Sequence, residues 1–338
     1  WDTDKGLNDY MKLLKEIKKR DHRTLGPQVG LFHFHEYGAS PFWDPKGVKL
    51  RKTVMKFWEE YLNGNGYIEI LNPLLYKKEL FECSGHWEHY RDDMFIFNDD
   101  DGEPDFVLKP MNCPDTMLFF KSRTRSYREL PLRVAEGQIL HRNEAAGSLH
   151  GIMRTRSFVQ DDAHIFLSSE MVESEIGTLM KNIKETYELL ELDYSVALST
   201  RPEKFLGEKE IWDKAESDLK DALNSVGQSF RVDEGEGAFY GPKIDITIHD
   251  SLGRDWQCGT VQLDFQLPGR FNLSYTDKDG SEKCPIVVHR AIFGSFERFL
   301  GILVEHFGGA FPTWLAPVQV AIIAVSENFS DYVDVVAK

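Results

Sequence analysis

Eleven side chains able to hold or move charge fall within residues 133–166. They are Arg133, Arg142, Arg154 and Arg156, with Glu136, Glu144, Asp161 and Asp162 among them, and His141, His150 and His164. Guanidinium forks at this density suit a polyphosphate, because their planar donors match phosphate oxygens in pairs. The stretch opens with a short alternating run and passes through a polar, Gly-bearing turn at 143–151. It closes with a second extended run at 155–166, so the pattern predicts two antiparallel strands joined by a long flexible loop. A solvated hairpin laced with salt bridges fits the same pattern. Phe158 and the run from Gln160 to His164 favour a site.

The elements that must position this hairpin follow from periodicity. Apolar positions Leu7, Tyr10, Met11, Leu14 and Ile17 predict an amphipathic linker helix, and Gly26-Pro27 then predicts a break. A turn-rich segment at 41–47 leads into a helix with Leu50, Val54, Phe57, Trp58 and Tyr61 on one face, stopped by Gly64 and Gly66. A strand at 67–71 runs into Asn72-Pro73. Ser84-Gly85-His86-Trp87 predicts a turn, and an acidic loop at 98–105 precedes the strand that leads to Met111 and Cys113. Ser168 and Ser169 are expected to cap a helix carrying Met171, Val172, Ile176, Leu179, Met180 and Ile183. Another amphipathic helix ends near Val226-Gly227. Residues 229–276 alternate in the β manner, with 237–242 and 256–260 as irregular interruptions and Asp279-Gly280 as a hairpin turn. A buried helix carrying Arg298 follows at 295–303, and a strand is expected over 314–325. Strand-rich sequence without βαβ regularity predicts an α+β fold around a mixed, mainly antiparallel sheet flanked by helices.

Composition narrows the class. The 338 residues are 41% hydrophobic and 28% charged, with a formal net charge of −15. That describes a globular chain, and no apolar run approaches the ~20 residues of a membrane span. The N-terminal residues lack the apolar core of a signal peptide, and their acids argue against an intact transit peptide. Cys83, Cys113, Cys258 and Cys284 are scattered, which suits a reducing compartment, and the cytoplasm is the expected location. The negative charge is awkward for a nucleic-acid binder. A local patch at 121–128 holds four cations and one aromatic, and it reads equally as a nucleic-acid contact or a solvated helix end. The run at 235–241 has the wrong spacing for a dinucleotide fingerprint.

Residues 141–144 (HRNE), 147–151 (GSLHG) and 160–166 (QDDAHIF) together resemble motif 2 of the class II aminoacyl-tRNA synthetases, in particular the threonyl-tRNA synthetases. The resemblance extends from about Arg20 to the end of the chain. The helix, strand and proline across 48–73 resemble motif 1, which implies a homodimer interface. The helix at 295–303 resembles motif 3. The implied organisation is a linker helix at 1–25, a catalytic domain at 26–313, and the start of an anticodon-binding domain at 314–338.

The resemblance also assigns roles. Arg142 would hold the α-phosphate and carboxylate, and Glu144 the adenine side. His150 and Arg154 would lie near the β- and γ-phosphates. Phe158 would stack under the adenine, with Arg298 above it and Ser295 at the same helix end; Lys243 and Gln257 would face the nucleotide or carboxylate. The residues themselves leave Arg298 the alternative of pairing with Glu297 or Glu305. Met111, Gln160, Tyr240 and Gln262 would line a threonine pocket in which Asp162 holds the hydroxyl, and His86 would sit beside the ribose of the terminal adenosine. Cys113, His164 and His289 stand 51 and 125 residues apart, so no local zinc signature exists. Their contexts are nonetheless those that supply a substrate-binding zinc in this family, with one coordination position open. Implied cofactors are Zn2+ and Mg2+ with ATP; implied partners are tRNA(Thr), L-threonine and ATP. Two alternatives stay open: a synthetase-like paralogue that senses amino acid or tRNA, and another class II ligase. Asp115-Thr116, Ala145-Ala146 and Ser157 depart from the usual family residues, and no editing domain for serine is recognisable.

Overall fold

Strand alternation decides which side chains share a face, and here it gathers the polar ones. The computed structural model describes residues 3–337. Its main sheet has eight strands: β1 (Ile68–Glu69), β2 (Leu132–Glu136), β3 (Asp162–Leu167), β4 (Asp193–Ser199), β5 (Arg231–Asp233), β6 (Lys243–His249), β7 (Asp255–Asp264) and β8 (Ile286–Ala291). They lie side by side in the order β5-β4-β6-β7-β8-β3-β2-β1. The outermost pairs are parallel and every pair between them is antiparallel. This is the α+β class expected.

Along β3, Ala163, Ile165 and Leu167 enter one apolar core, whereas Asp162, His164 and Phe166 face the other way, as period two requires. The helices include α1 (Asp4–Arg20), α2 (His22–Gln28), α3 (Pro45–Gly64), α4 (Cys113–Lys121), α5 (Val172–Leu189), α6 (Lys209–Ser225) and α7 (Phe296–Phe307), with short ones also at Lys78–Ser84, His86–Tyr90, Leu267–Arg270 and Ser330–Val336. The apolar faces of α3, α5, α6 and α7 share the first core. In α3, Pro45 opens the first turn, and Leu50, Val54, Trp58 and Leu62 recur at four-residue steps as its buried stripe. Phe57 and Tyr61, expected on that stripe, only border it. On the opposite face α4 packs Met117 and Phe120 against Val134, Phe166 and Val287, with the Phe120 and Phe166 rings stacked at 4.3 Å. That face stays open beyond α4, which leaves a polar floor. A smaller three-stranded sheet (Leu75–Lys77, Phe95–Asn98, Pro104–Leu108) sits beside it, and the acidic loop is its hairpin turn.

Four expectations change. Gly26-Pro27 is no break: Pro27 lies in α2, which ends one residue later, and Gly26 serves packing, since a Cβ there would lie 2.4 Å from Phe32 Cζ. Ser168 and Ser169 do not cap α5; a tight turn intervenes, and the Met171 N–H is met by the Ser168 carbonyl at 3.1 Å. Residues 256–260 do not interrupt a strand but belong to β7, where Cys258 is the extra residue of a bulge opposite Ile246 and Thr247. Residues 314–325 form no strand, because no described strand pairs with them; Ile323 and Val325 are 84% and 90% exposed. Trp1 and Asp2 of the expected linker, and Lys338 of the expected C-terminal segment, lie outside the described residues.

Gly47, in the first turns of α3, supplies a stability test. Gly→Ala in a helix ordinarily stabilises by about 1 kcal/mol. Here a Cβ would stand 1.8 Å from the Leu31 carbonyl oxygen. Gly47→Ala is therefore expected to destabilise by about 1–3 kcal/mol, a sign reversal visible as a lowered urea midpoint.

Candidate active site

The loop expected over 143–151 springs from a short hairpin, Ile139–His141 paired with Ser157–Val159. Arg142 leaves this hairpin with its Nε donating to the Pro110 carbonyl at 3.1 Å, and its guanidinium carbon lies 5.2 Å from the Phe158 ring centre. Arg298, in the first turn of α7, donates from Nε to the Met153 carbonyl at 3.0 Å and from Nη1 to the Gln257 carbonyl at 3.2 Å. Ser295 caps the helix by accepting the Arg298 N–H at 3.1 Å. The alternative partners of Arg298 are engaged elsewhere. Glu297 accepts the Val159 N–H at 2.8 Å, and Glu305 pairs with His22 and Arg254. Arg142 and Arg298 thus line one cleft with Phe158, Ser295 and Gln257, and neither is ion-paired with a described carboxylate. Two cations held by carbonyls, with N–H groups to spare, make an anion site.

Not every expected nucleotide residue joins that cleft. Glu144 and Arg154 do, as a mutual ion pair at 2.7 Å. His150 instead packs against His22, ring centres 5.4 Å apart. Lys243 pairs with Asp245 at 2.7 Å and does not line the cleft. Asp245, which sequence reasoning missed, also accepts from Ser199 Oγ at 2.7 Å and from Gln257 Nε2 at 2.5 Å. Its place two residues after Lys243, on the same sheet face, was the available signal.

A second cavity of about 340 Å3 adjoins the first, sharing Arg142, Gln160, Thr260 and Gln262. It is lined by Met111, Cys113, Asp162, His164, Tyr240 and His289, with His86 in its wall. Strand register explains the convergence, since His164 and Gln262 both lie opposite His289. Cys113 begins α4 on the same side. The three candidate ligand atoms lie within 4.8 Å of one another, and the two imidazole centres are 4.7 Å apart. His289 Nε2 is held 2.9 Å from Asp264, whose other oxygen accepts the Gln266 and Leu267 N–H groups. That leaves His289 Nδ1 available, the support a metal-ligating histidine needs. The His164 imidazole, unlike its strand backbone, makes no hydrogen bond to a described residue, unusual for a ring so buried. One thiol and two imidazoles, His289 with its second nitrogen free and His164 with both, fit a zinc ion.

Neighbouring residues tune this cavity. Asn112 Nδ2 donates to Asp162 at 3.1 Å, and the Tyr240 hydroxyl donates to Gln262. His86 Nδ1 is hydrogen-bonded to Ser84 Oγ at 2.8 Å, and its Nε2 lies 3.7 Å from Cys113 Sγ. Asp115 is buried, bonded to Lys109 at 2.8 Å and Tyr76 at 3.1 Å, while Lys109 also meets Glu136 at 2.7 Å. Burial, reinforced by Glu136, pushes Asp115 up to about 7 against the pull of Lys109. Thr116 Oγ1 donates to the Asn112 carbonyl, so both departures after Pro114 brace the start of α4. Ala145 leads into a tight turn at Ala146–Ser148, and Ser157 Oγ contacts His141 at 3.3 Å. The basic patch is mostly consumed internally: Arg125 bonds the Phe119 and Phe120 carbonyls, Lys121 the Phe271 carbonyl, and Arg123 Glu129.

Burial pushes the Cys113 thiol up, and burial together with His289 lowers His164; burial lowers His86 to about 4. A histidine whose folded pKa lies below its unfolded one binds more protons when unfolded, so acid favours unfolding. Metal-free protein is expected to hold this contribution above the ordinary histidine value near 6.5 and to lose it progressively as pH falls toward the folded values. Urea midpoints between about pH 8 and 5 measure the slope, which His86→Asn should flatten.

Residues 95–307 match the family described as the tRNA synthetase class II core domain (G, H, P, S and T). The threonine–tRNA ligase of Clostridium botulinum (strain Langeland) is 50% identical over 327 residues, 96% of this chain and 51% of that protein. Its counterpart in Clostridium kluyveri is 49% identical over 333 residues, 98% of this chain and 52% of that protein. The chain spans about half the length of these curated relatives. A solved structure described as the RNA binding domain of threonyl-tRNA synthetase from Cryptosporidium parvum Iowa II is similar at a TM-score of 0.90 and 42% identity, over 94% of this chain and 80% of that one. A putative threonyl-tRNA synthetase from Aeropyrum pernix follows at 0.80 and 31%, over 94% and 76%. With its core matched by the family and these relatives aligned along nearly its whole length, the chain belongs to the class II aminoacyl-tRNA synthetases, in the threonyl-tRNA synthetase family.

Proposed function

We propose that this chain is the catalytic core of a threonine–tRNA ligase, which activates L-threonine with ATP and transfers it to the 3′ end of tRNA(Thr). One observation carries the reading: an anion cleft with two arginines free of carboxylates adjoins a buried Cys/His/His cavity, with Arg142 in the wall between them. Adenylate formation needs charge neutralised on the α-phosphate and the two reactants held in line. Arg142, reaching both cavities, neutralises that phosphate; Arg298 and Arg154 take the outer phosphates, with Mg2+ accompanying ATP. Phe158 offers the adenine a flat face, with Glu144, Ser295 and Gln257 around it. His150 and Lys243 act from outside the cleft, by supporting the loop and Asp245.

Cys113, His164 and His289 would hold zinc, which supplies an open position for the threonine amino and hydroxyl groups. Asp162, steadied by Asn112, accepts the substrate hydroxyl, and Met111, Gln160, Tyr240 and Gln262 enclose the side chain. His86 is assigned to the ribose of the terminal adenosine. Valine lacks the hydroxyl, whereas serine loses only a methyl worth ~1–3 kcal/mol, so serine calls for editing elsewhere. A sensor that binds threonine without activating it has no need of both arginines in one cleft. We assign residues 1–25 to a linker, 26–313 to the catalytic domain and 314–338 to the start of an anticodon-binding domain, in a cytoplasmic or organellar-matrix enzyme.

Threonine-dependent ATP–pyrophosphate exchange tests the assignment. Arg142→Ala is expected to lower kcat about a hundred- to thousand-fold. Asp162→Ala should instead raise KM for threonine and narrow the threonine/valine ratio. Zinc in elemental analysis should be about one per chain and be lost in Cys113→Ser. An unchanged threonine/valine ratio in Asp162→Ala, or zinc retained without Cys113, refutes the assigned roles.

We also propose a homodimer through 48–73. Support comes from the edge strand β1, where Ile68 is 42% and the following Leu71 82% exposed, an apolar edge that invites a partner. Leu71→Asp is expected to shift sedimentation from dimer toward monomer, while Val335→Asp, also exposed but far along the chain, leaves it unchanged.

A further inference from the structure

The linker carries a histidine that the reading above leaves without a role. His22, the first residue of α2, is fully buried, and both its ring nitrogens are engaged. Nδ1 lies 2.6 Å from Oε1 of Glu305 near the end of α7, and the same oxygen accepts the His22 backbone N–H at 2.9 Å. Nε2 accepts the Ile152 N–H at 3.2 Å. A carboxylate at Nδ1 makes that nitrogen the donor, so a single neutral tautomer satisfies both contacts. Glu305 is itself ion-paired with Arg254, which is bound to Asp250. Arg20 donates to the His306 carbonyl at 3.2 Å, so the linker is fastened to the end of α7 at two points.

On its other side His22 meets the loop of the nucleotide cleft. Ile152 and Met153 are that loop's buried anchors, 1% and 3% exposed, packed close to Gly301 of α7. Two adjacent groups therefore hold the loop: the Ile152 N–H on His22, and the Met153 carbonyl on Arg298. Gly151, at φ +54°, allows the approach, since a Cβ there would lie 1.9 Å from His22 Nε2.

We propose that His22 is a positioning residue of the nucleotide site: by accepting the Ile152 N–H it fixes the loop carrying Glu144 and Arg154 and the carbonyl that orients Arg298. It touches no substrate and acts through Ile152. The kinetic part of the inference rests on the ligase reading; the structural part does not.

The test compares His22→Ala, His22→Asn and His22→Gln by pyrophosphate exchange and by amide hydrogen exchange of the ligand-free chain over residues 150–154. His22→Ala is expected to raise KM for ATP about five- to tenfold and to speed exchange of the Ile152 amide, with KM for threonine within about twofold and zinc content unchanged. His22→Gln, whose side-chain oxygen reaches the Nε2 position, should stay within about threefold of the parent; His22→Asn reaches only the Nδ1 position and should behave as the alanine variant. Gly151→Ala should raise KM for ATP from the loop side, and in the His22→Ala background it should add less, because the ring it strikes is gone. Identical behaviour of the Asn and Gln variants, a matching rise in KM for threonine, or full additivity with Gly151→Ala overturns the proposal. Absence of exchange activity in the parent refutes the ligase reading instead, and the Ile152 amide still decides on His22.

Discussion

The pairing of β8 between β7 and β3 is the constraint on which the rest of the structure depends. It sets Gln262 and His164 on either side of His289, and Lys243 lies next in the same row. Side chains alternate with period two, so a slip of one residue would turn His289 into the apolar core and Arg290 into the cavity. The register is held from below. Asp161, immediately before β3, accepts the Ile292 and Phe293 N–H groups at 2.7 and 3.1 Å just beyond the end of β8, and its backbone carbonyl accepts from Arg290. Arg290 is enclosed by the rings of Tyr61 and Tyr67. Burial pushes Asp161 up to about 7 while Arg290 pulls the other way, so this cluster carries a cost that its hydrogen bonds must offset.

Buried charge is used in two distinct ways. Under the site, Asp161 with Arg290 and Lys109 with Asp115 and Glu136 form buried ion-paired networks, in which Asp161 Oδ1, Asp115 Oδ1 and Arg290 Nη2 find no hydrogen-bond partner among the described residues. They brace β3, β2 and the start of α4. In the cleft above, the hydrogen bonds that Arg142 and Arg298 donate from their guanidinium groups to described residues go to backbone carbonyls, which orient a guanidinium without neutralising it. A carbonyl-held cation keeps its full attraction for an arriving anion, whereas a carboxylate-held one must give up a partner first.

Much of this was legible along the chain. Period-two and period-3.6 patterns marked the hairpin, the long helices and the antiparallel class, because burying one face of an element imposes its own repeat. Where the pattern misled, a local signal had been outweighed by packing. Gly26-Pro27 looked like a break, yet Gly26 is small because Phe32 lies against it. Residues 256–260 looked irregular because one bulged residue, Cys258, shifts the alternation by a single step. The apolar run at 314–325 has a strand's composition but no described partner strand.

Residue types at short range were what the sequence determined by itself: which arginines, histidines and carboxylates lie together in the 133–166 hairpin, and the family their pattern resembles. The tertiary structure decided which distant residues meet. Cys113, His164 and His289 carry no spacing signature, since β3 and β8 bring the two histidines opposite one another only through sheet pairing. Asp264, Asp245 and Asn112 escaped notice for the same reason, and Glu305 was weighed only as a partner of Arg298, not of His22; each works through a partner that hydrogen bonding, not sequence distance, selects. Periodicity is a property of one element against solvent and core, whereas a site is made by several elements at once. Only the register and packing between them fix that second relation.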